Sequence, residues 1–181
     1  IDNSDMYYFI LDLDDTLYQN ETDRDYIDVN EGTECVDSAK IKELSELGKV
    51  ILFSNANTPH CNKWLTYLGI IDYFSAIVNY DSFNMYKPNP NLYNKVIQNC
   101  GIRGDDTVFF FDDLPLNLFP AFKLGWKTAL IKKNYKKDSL NLFNDSYIEN
   151  VFKNVNNAID YVLLFINPRH EDKQDGVLSF L

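Results

Sequence analysis

The sequence predicts an α/β protein built on a parallel five-stranded sheet with helices on both faces. Short apolar runs alternate along the chain with longer segments whose apolar residues recur at helical spacing. Strands that are apolar throughout are typical of a sheet covered on both faces. A repeated order of strand and helix predicts right-handed crossovers, with ligands bound beyond the carboxyl ends of the strands.

Five apolar runs are the predicted strands, namely Tyr7–Leu13, Lys49–Phe53, Ala76–Tyr80, Thr107–Phe111 and Lys127–Ile131. The predicted helices are Glu34–Leu47, Pro59–Leu68, Asn89–Cys100, Asn117–Leu124 and Ser146–Ile166. The last of these carries a long apolar stripe, which we expect to pack into the core.

The length of 181 residues predicts one domain over residues 1–181, large enough to bury a hydrophobic core. The polar, acidic segment 17–33 is predicted to be a loop or small hairpin, which would act as a short flap or cap remnant. Residues 168–181 are predicted to form an irregular tail.

The net charge of −10 argues against an extended nucleic-acid-binding surface and against binding to anionic membranes. A locally positive pocket for a small anionic substrate remains compatible with this charge. The cysteines Cys35, Cys61 and Cys100 form no CxxC pair, so a reducing compartment is expected. No apolar run is long enough to span a membrane and no targeting signal is visible, so we expect a cytoplasmic protein.

Acidic residues follow the first and the fourth predicted strands. Asp12, Asp14 and Thr16 come after the first, and Asp112 and Asp113 end the fourth, with Asn117 beyond. Carboxylates gathered at strand ends are costly to hold together unless a cation or a substrate is bound there, and Mg²⁺ prefers oxygen ligands. Each cluster taken alone is also compatible with a solvated turn or a helix cap.

Two further clusters supply groups that bind phosphate. Ser54 and Asn55 end the second strand, where a hydroxyl and backbone N–H groups can hold a phosphate oxygen. Lys87 precedes a helix, where its ammonium can neutralise phosphate charge. A Ser-Asn turn and a surface lysine in a proline-stiffened loop are the structural alternatives.

This ordered set resembles the haloacid dehalogenase (HAD) superfamily. Its DxDxT motif is matched by Asp12, Asp14 and Thr16, its serine by Ser54 and its lysine by Lys87. Its acidic pair and the polar residue four beyond are matched by Asp112, Asp113 and Asn117. The pyrimidine 5′-nucleotidase-like branch is the most similar one, on the segments Val50–Ile71, Tyr86–Pro90 and Phe109–Lys127.

The resemblance implies a Mg²⁺-dependent phosphatase. Asp12 would be the nucleophile that forms an aspartyl-phosphate, and Asp14 the general acid and base. Asp12, the Asp14 backbone carbonyl and Asp113 would hold Mg²⁺, with Asp112 in or next to its coordination sphere. Ser54, Asn55 and Lys87 would bind the phosphate, with Thr16 and Asn117 in support.

The first two motifs are separated only by residues 17–53, which predicts an essentially capless site. The pyrimidine 5′-nucleotidase-like branch normally carries a helical cap at this place. The substrate would be a nucleotide-like small phosphate or an accessible macromolecular phosphate, and a protein partner could complete the site. A capless phosphoprotein phosphatase is one alternative, and a non-catalytic HAD-like binding module is another. His60 falls in no motif and is expected only to begin a helix.

Overall fold

The computed structural model describes residues 6–19, 33–135 and 145–167. Within these ranges the strands are β1 Tyr7–Leu11, β2 Tyr18–Gln19, β3 Glu34–Cys35, β4 Lys49–Phe53, β5 Phe74–Val78, β6 Thr107–Asp112, β7 Lys127–Ile131 and β8 Asn150–Phe152. The α-helices are α1 Ser38–Leu47, α2 Thr58–Tyr67, α3 Tyr80–Phe83, α4 Pro90–Cys100, α5 Pro115–Lys123 and α6 Val155–Ile166. Short 3₁₀ helices lie at Ile71–Tyr73 and Asp145–Tyr147.

The main sheet of the described residues has six parallel strands in the order β5-β4-β1-β6-β7-β8. The predicted parallel α/β architecture is confirmed, and each of the five predicted strands has a counterpart. The predicted number of five strands was wrong, because β8 adds a sixth at the edge beside β7.

The sixth strand lies in the segment predicted as the long helix Ser146–Ile166. Val151 packs against one core cluster and Phe152 belongs to the other, so consecutive side chains face opposite sides as in a strand. Helix α6 begins only at Val155, because the side chain of Asn154 caps it by accepting a hydrogen bond from the backbone N–H of Asn157 at 2.9 Å.

The helix predicted at Glu34–Leu47 also begins later than expected. The side chain of Asp37 accepts a hydrogen bond from the N–H of Ala39 at 2.9 Å, which caps α1 at Ser38. The preceding β3 pairs antiparallel with β2, so a two-stranded ribbon joins the start of the predicted 17–33 flap to the two residues that follow it. Residues 20–32 and the predicted tail at 168–181 lie outside the described residues.

Alternate side chains of the central strands pack on opposite faces of the sheet. Phe9, Leu52 and Phe111 belong to one core cluster, which contains buried residues of α1, α2 and α6. Ile10 and Phe110 belong to the other, with buried residues of α4 and α5. Helices therefore cover both faces as predicted, and the polar residues that follow the strands are held at one edge.

The connection from α1 to β4 passes close to β1 at Gly48. A Cβ atom on Gly48 would lie 2.3 Å from the carbonyl oxygen of Tyr7, so the backbones could not approach this closely with any other residue. Within the described part of the chain, no helix has the length and apolar character needed to cross a membrane.

Candidate active site

The predicted site residues meet at the carboxyl ends of β4, β1 and β6, which are neighbours in the sheet. Asp12 directly follows β1, and its backbone N–H donates to the carbonyl oxygen of Phe111 at 2.9 Å. Ser54 directly follows β4, and its N–H donates to Val78 at 3.0 Å. Asp112 is the last residue of β6. Parallel pairing thus brings together side chains from distant parts of the sequence.

The chain turns sharply after Asp12. The N–H groups of Thr16 and Leu17 both donate to the carbonyl oxygen of Leu13, at 3.2 and 2.9 Å. Asp15 has a positive φ of 60°, a conformation that aspartate tolerates better than most residues. The Thr16 hydroxyl donates to Asp12 Oδ2 at 3.1 Å, so this residue supports the predicted nucleophile.

Lys87 is the central cation of the site. Its buried ammonium donates to Asp12 Oδ1 at 2.9 Å, to Asp112 Oδ2 at 2.7 Å and to the carbonyl oxygen of Phe53 at 2.6 Å. Burial lowers the pKa of Lys87, but the charges of Asp112 and Asp12 raise it by more, so its pKa lies above the ordinary lysine value. Lys87 is therefore charged at neutral pH.

Asp112 has its carboxylate oxygens engaged by neighbouring donors. Oδ1 accepts from the N–H of Leu114 at 2.9 Å, and the side-chain amide of Asn117 donates to both oxygens at 3.2 Å. Oδ2 also accepts from Lys87. This fully buried carboxylate therefore orients the lysine, and Asn117 in turn orients the carboxylate.

Asp113 lies beside Asp12 and is only partly buried. Burial, followed by the charges of Asp12 and Asp112, raises the pKa of Asp113 to about 9. Burial and the charge of Asp112 also raise the pKa of Asp12 to about 6. Proximity of the two carboxyl groups thus favours keeping a proton between them.

Oxygen atoms of Asp12, Asp112 and Asp113 all lie within 4.8 Å of one another. When every group is ionised, the described residues place three carboxylates around the single ammonium of Lys87, an excess of two negative charges within this group. A divalent cation with a preference for oxygen ligands would balance that excess, so the donor set fits Mg²⁺. Asp112 is fully buried and both of its oxygens accept hydrogen bonds, whereas Asp113 is only partly buried and is the more accessible ligand.

The predicted phosphate-binding residues Ser54 and Asn55 end β4 at the same edge. The buried Ser54 hydroxyl oxygen accepts from the N–H of Ala56 at 3.0 Å. The Asn55 side chain accepts from the N–H of Lys87 at 2.7 Å and donates to the carbonyl oxygen of Lys87 at 3.3 Å. The side-chain amide of Asn55 thus holds the Lys87 backbone. The backbone N–H of Asn55 is the group that remains to bind an anion.

Asp14 has two partners that the motifs do not contain. The His60 ring nitrogen Nε2 lies 2.7 Å from Asp14 Oδ1, and the Tyr18 hydroxyl donates to the same oxygen. The expectation that His60 only begins a helix was therefore incomplete. The sequence did contain an indication of this contact. His60 lies in the first turn of the helix that follows Ser54, and the start of that helix lies at the carboxyl edge of the sheet.

A family model described as haloacid dehalogenase-like hydrolase matches residues 36–115. This match includes Ser54, Lys87, Asp112 and Asp113, and the fold places Asp12 against them. Over these residues the chain is similar to the haloacid dehalogenase-like hydrolases. The similarity agrees with the HAD-like, Rossmann-like sheet, in which the polar residues converge at one edge. The pyrimidine 5′-nucleotidase-like branch stays a prediction.

Among characterised relatives, the HAD-like chain is similar to glyceraldehyde 3-phosphate phosphatase of Methanocaldococcus jannaschii. The two are 26% identical over 95 residues, which are 52% of this chain and 40% of that relative. This chain therefore aligns with less than half of the relative's length.

Solved structures share the HAD-like fold. An uncharacterised protein from Listeria monocytogenes serotype 4b has a TM-score of 0.64 and 18% identity, over 89% of this chain and 99% of that one. A proposed HAD hydrolase from Bacillus subtilis, solved bound to magnesium, has a TM-score of 0.59 and 13% identity, over 71% of this chain and 54% of that one. At these identities the likeness concerns the fold alone.

Proposed function

We propose that this HAD-like chain is a Mg²⁺-dependent phosphomonoesterase that acts through an aspartyl-phosphate on Asp12. The observation that carries the proposal is that Asp12 contacts the Lys87 ammonium at 2.9 Å and has a carboxylate oxygen within 4.8 Å of one from Asp113. Asp12 therefore lies next to a positive charge and next to a second carboxylate with which it could share a cation. Similarity to a phosphatase supports the same activity.

In the first step, a carboxylate oxygen of Asp12 attacks phosphorus and the bond from phosphorus to the leaving oxygen breaks. Asp14 donates its proton to that oxygen. In the second step, water attacks the phosphorus of the aspartyl-phosphate and gives a proton to Asp14, while the bond between phosphorus and the Asp12 oxygen breaks. The products are inorganic phosphate and the restored Asp12 carboxylate.

The oxygen ligands for Mg²⁺ would be the carboxylates of Asp12 and Asp113 and the backbone carbonyl of Asp14, with Asp112 close by. Bound Mg²⁺ would supply the positive charge that lets an anionic nucleophile meet an anionic phosphate. The excess of negative charge among the three clustered carboxylates supports this assignment.

Lys87, the hydroxyl of Ser54 and the backbone N–H of Asn55 would bind the transferring phosphate oxygens. Lys87 is charged and held rigidly by Asp112, so its positive charge needs no rearrangement as negative charge develops. Thr16 supports Asp12, and Asn117 supports Asp112, each through a hydrogen bond.

The proposed substrate is a small phosphate monoester. The sugar-phosphate phosphatase among the relatives and the nucleotidase-like motifs both support this class. A phosphoprotein is the rival substrate if residues 17–33 form no more than a short flap, because a capless site would admit a macromolecule. We propose a cytoplasmic protein whose partner is the phosphorylated substrate, without a membrane or an extended nucleic-acid surface.

The test is hydrolysis of p-nitrophenyl phosphate with Mg²⁺ or with EDTA, by the wild type, Asp12→Asn and Asp72→Asn. Asp72 is an exposed aspartate of the 3₁₀ helix at 71–73 and serves as the matched control. We expect Mg²⁺-dependent turnover that Asp12→Asn lowers by at least about 10³-fold and Asp72→Asn leaves intact. Equal turnover by Asp12→Asn would contradict the assigned nucleophile.

A non-catalytic binding module is distinguished by beryllium fluoride, which mimics the phosphoryl group of an aspartyl-phosphate. With Mg²⁺ present, beryllium fluoride should raise the melting temperature of the wild type and not that of Asp12→Asn. A wild type that hydrolyses no phosphate monoester and gains no stability from beryllium fluoride would overturn the proposed function.

A further inference from the structure

The carboxylate of Asp14 is held by two side chains from different elements. His60 Nε2 lies 2.7 Å from Asp14 Oδ1, and both side chains are 17% exposed. The Tyr18 hydroxyl donates a hydrogen bond to the same oxygen. His60 is 46 residues beyond Asp14, so this contact depends on the fold and not on local chain geometry.

His60 has a fixed position because it lies in the first turn of α2. The side chain of Asn57 caps this helix by accepting a hydrogen bond from the backbone N–H of His60 at 3.0 Å. A cap of this kind orders the first helical turn and with it the direction of the His60 side chain. The imidazole therefore approaches Asp14 from a rigid element.

Tyr18 is equally constrained. It is 1% exposed and its ring stacks on that of Trp64, with centroids 3.6 Å apart and planes inclined by 5°. Trp64 lies one turn after His60 on α2, so one helix supports both partners of Asp14. The imidazole and the phenol thus form a preorganised clamp on one carboxylate.

Both contacts of this clamp fall on Oδ1 of Asp14. The contacts with His60 and Tyr18 fix the rotation of the carboxyl group, and among the described residues they leave Oδ2 as the atom that can exchange a proton with a substrate. Proton transfer to a leaving oxygen requires the acid within hydrogen-bond reach and in the right orientation.

We infer that His60 is a positioning residue that orients Asp14 for proton donation to the leaving oxygen. This inference rests on the proposed phosphatase function. In the assigned step, the bond between phosphorus and the leaving oxygen breaks while Oδ2 of Asp14 delivers its proton to that oxygen. His60 touches neither the phosphate nor the leaving group and acts only through Asp14.

Leaving groups of different basicity separate this role from a merely structural one. p-Nitrophenolate departs without a proton, whereas an alkoxide needs the acid. The quantity to measure is kcat/KM, which reports phosphoryl transfer to Asp12, for p-nitrophenyl phosphate and for an alkyl phosphate such as glycerol 2-phosphate. Asp14→Asn gives the reference pattern for a lost acid.

We expect His60→Leu to lower kcat/KM by about 100-fold for the alkyl phosphate and by less than about 10-fold for p-nitrophenyl phosphate. His60→Gln keeps a nitrogen donor near Asp14 and should recover part of the loss on the alkyl substrate alone. Asn62→Leu, an exposed substitution on the same helix, is the matched control and should change neither value.

An equal loss of kcat/KM on both substrates, or no loss on either, in folded His60→Leu would overturn the positioning role while leaving the phosphatase intact. If His60→Leu does not fold, His60→Ala, which also lacks the ring nitrogen, provides the same comparison. A wild type inactive on both substrates would instead overturn the proposed function, and with it this inference.

Discussion

The ammonium nitrogen of Lys87 lies 2.7 Å from Oδ2 of Asp112, and the two side chains are only 1% and 0% exposed. The same ammonium also contacts Asp12, whose side chain is 9% exposed. Two buried carboxylates therefore depend on one cation for charge compensation. Such an arrangement is costly to break, because removal of one partner leaves the others buried and charged.

Lys87→Met should destabilise the folded protein and remove its activity. Methionine fills similar space but leaves the carboxylates of Asp12 and Asp112 without their ammonium. We expect the free energy of unfolding to fall by about 3–5 kcal/mol. The measurement is urea unfolding followed by circular dichroism, with EDTA present so that no metal replaces the lost charge.

The matched control for that variant is Lys133→Met. Lys133 faces Glu34 at 3.8 Å, with side chains 59% and 43% exposed, so its removal should change the free energy of unfolding by no more than about 1 kcal/mol. Equal unfolding midpoints for the two variants would mean that Lys87 does not compensate the buried carboxylates.

The metal-free protein should lose stability as the pH rises from about 4 to about 9. The pKa of Asp113 is raised to about 9 in the folded state, chiefly by burial, against about 3.9 in the unfolded chain. The folded state therefore binds more protons than the unfolded state across this window. The stabilisation is fully present below the unfolded pKa and is lost as the pH rises through the folded one.

Asp113→Asn removes the titrating group and should flatten that dependence in EDTA. The slope that this variant removes is at most about 1.4 kcal/mol per pH unit, the value for one proton. Unfolding free energies at four pH values between 5 and 8 provide the measurement, with Asp72→Asn as control. Parallel curves for the wild type and Asp113→Asn would show that Asp113 ionises normally in the folded protein.

Patterns of side-chain polarity within single segments were enough to predict the parallel sheet and the edge where the polar residues meet. The edge strand β8 was missed because Val151, at its centre, lies at helical spacing from Ile148 before it and Val155 after it. Only pairing with β7 distinguishes a strand from a helix there, and a contact between distant segments leaves no periodic signal.

In the candidate site, too, the sequence predicts which residues take part but not the contacts between distant segments. DxDxT and the acidic pair identify Asp12, Asp14, Asp112 and Asp113 as site candidates, because they follow strands. The sequence does not indicate that Asp112 contacts Lys87, or that Asp113, just beyond the end of β6, brings its carboxyl group back beside Asp12. The His60 contact with Asp14 likewise depends on how α2 packs on the sheet.

Asn55→Ala should lower kcat because the Asn55 side chain holds the backbone of Lys87. Its amide accepts from the N–H of Lys87 at 2.7 Å and donates to the Lys87 carbonyl at 3.3 Å, bridging the ends of two loops. Loss of both bonds should cost about 1–2 kcal/mol of stability. A displaced Lys87 ammonium should lower kcat by about 10- to 100-fold.

Asn99→Ala, an exposed substitution on α4, is the matched control and should leave stability and kcat close to the wild type. Steady-state kinetics with p-nitrophenyl phosphate and urea unfolding are measured for both variants. If Asn55→Ala kept the wild-type kcat while Lys87→Met lost it, the contacts of the ammonium itself would be enough to hold it in place. The Asn55 bridge would then contribute to loop stability and not to catalysis.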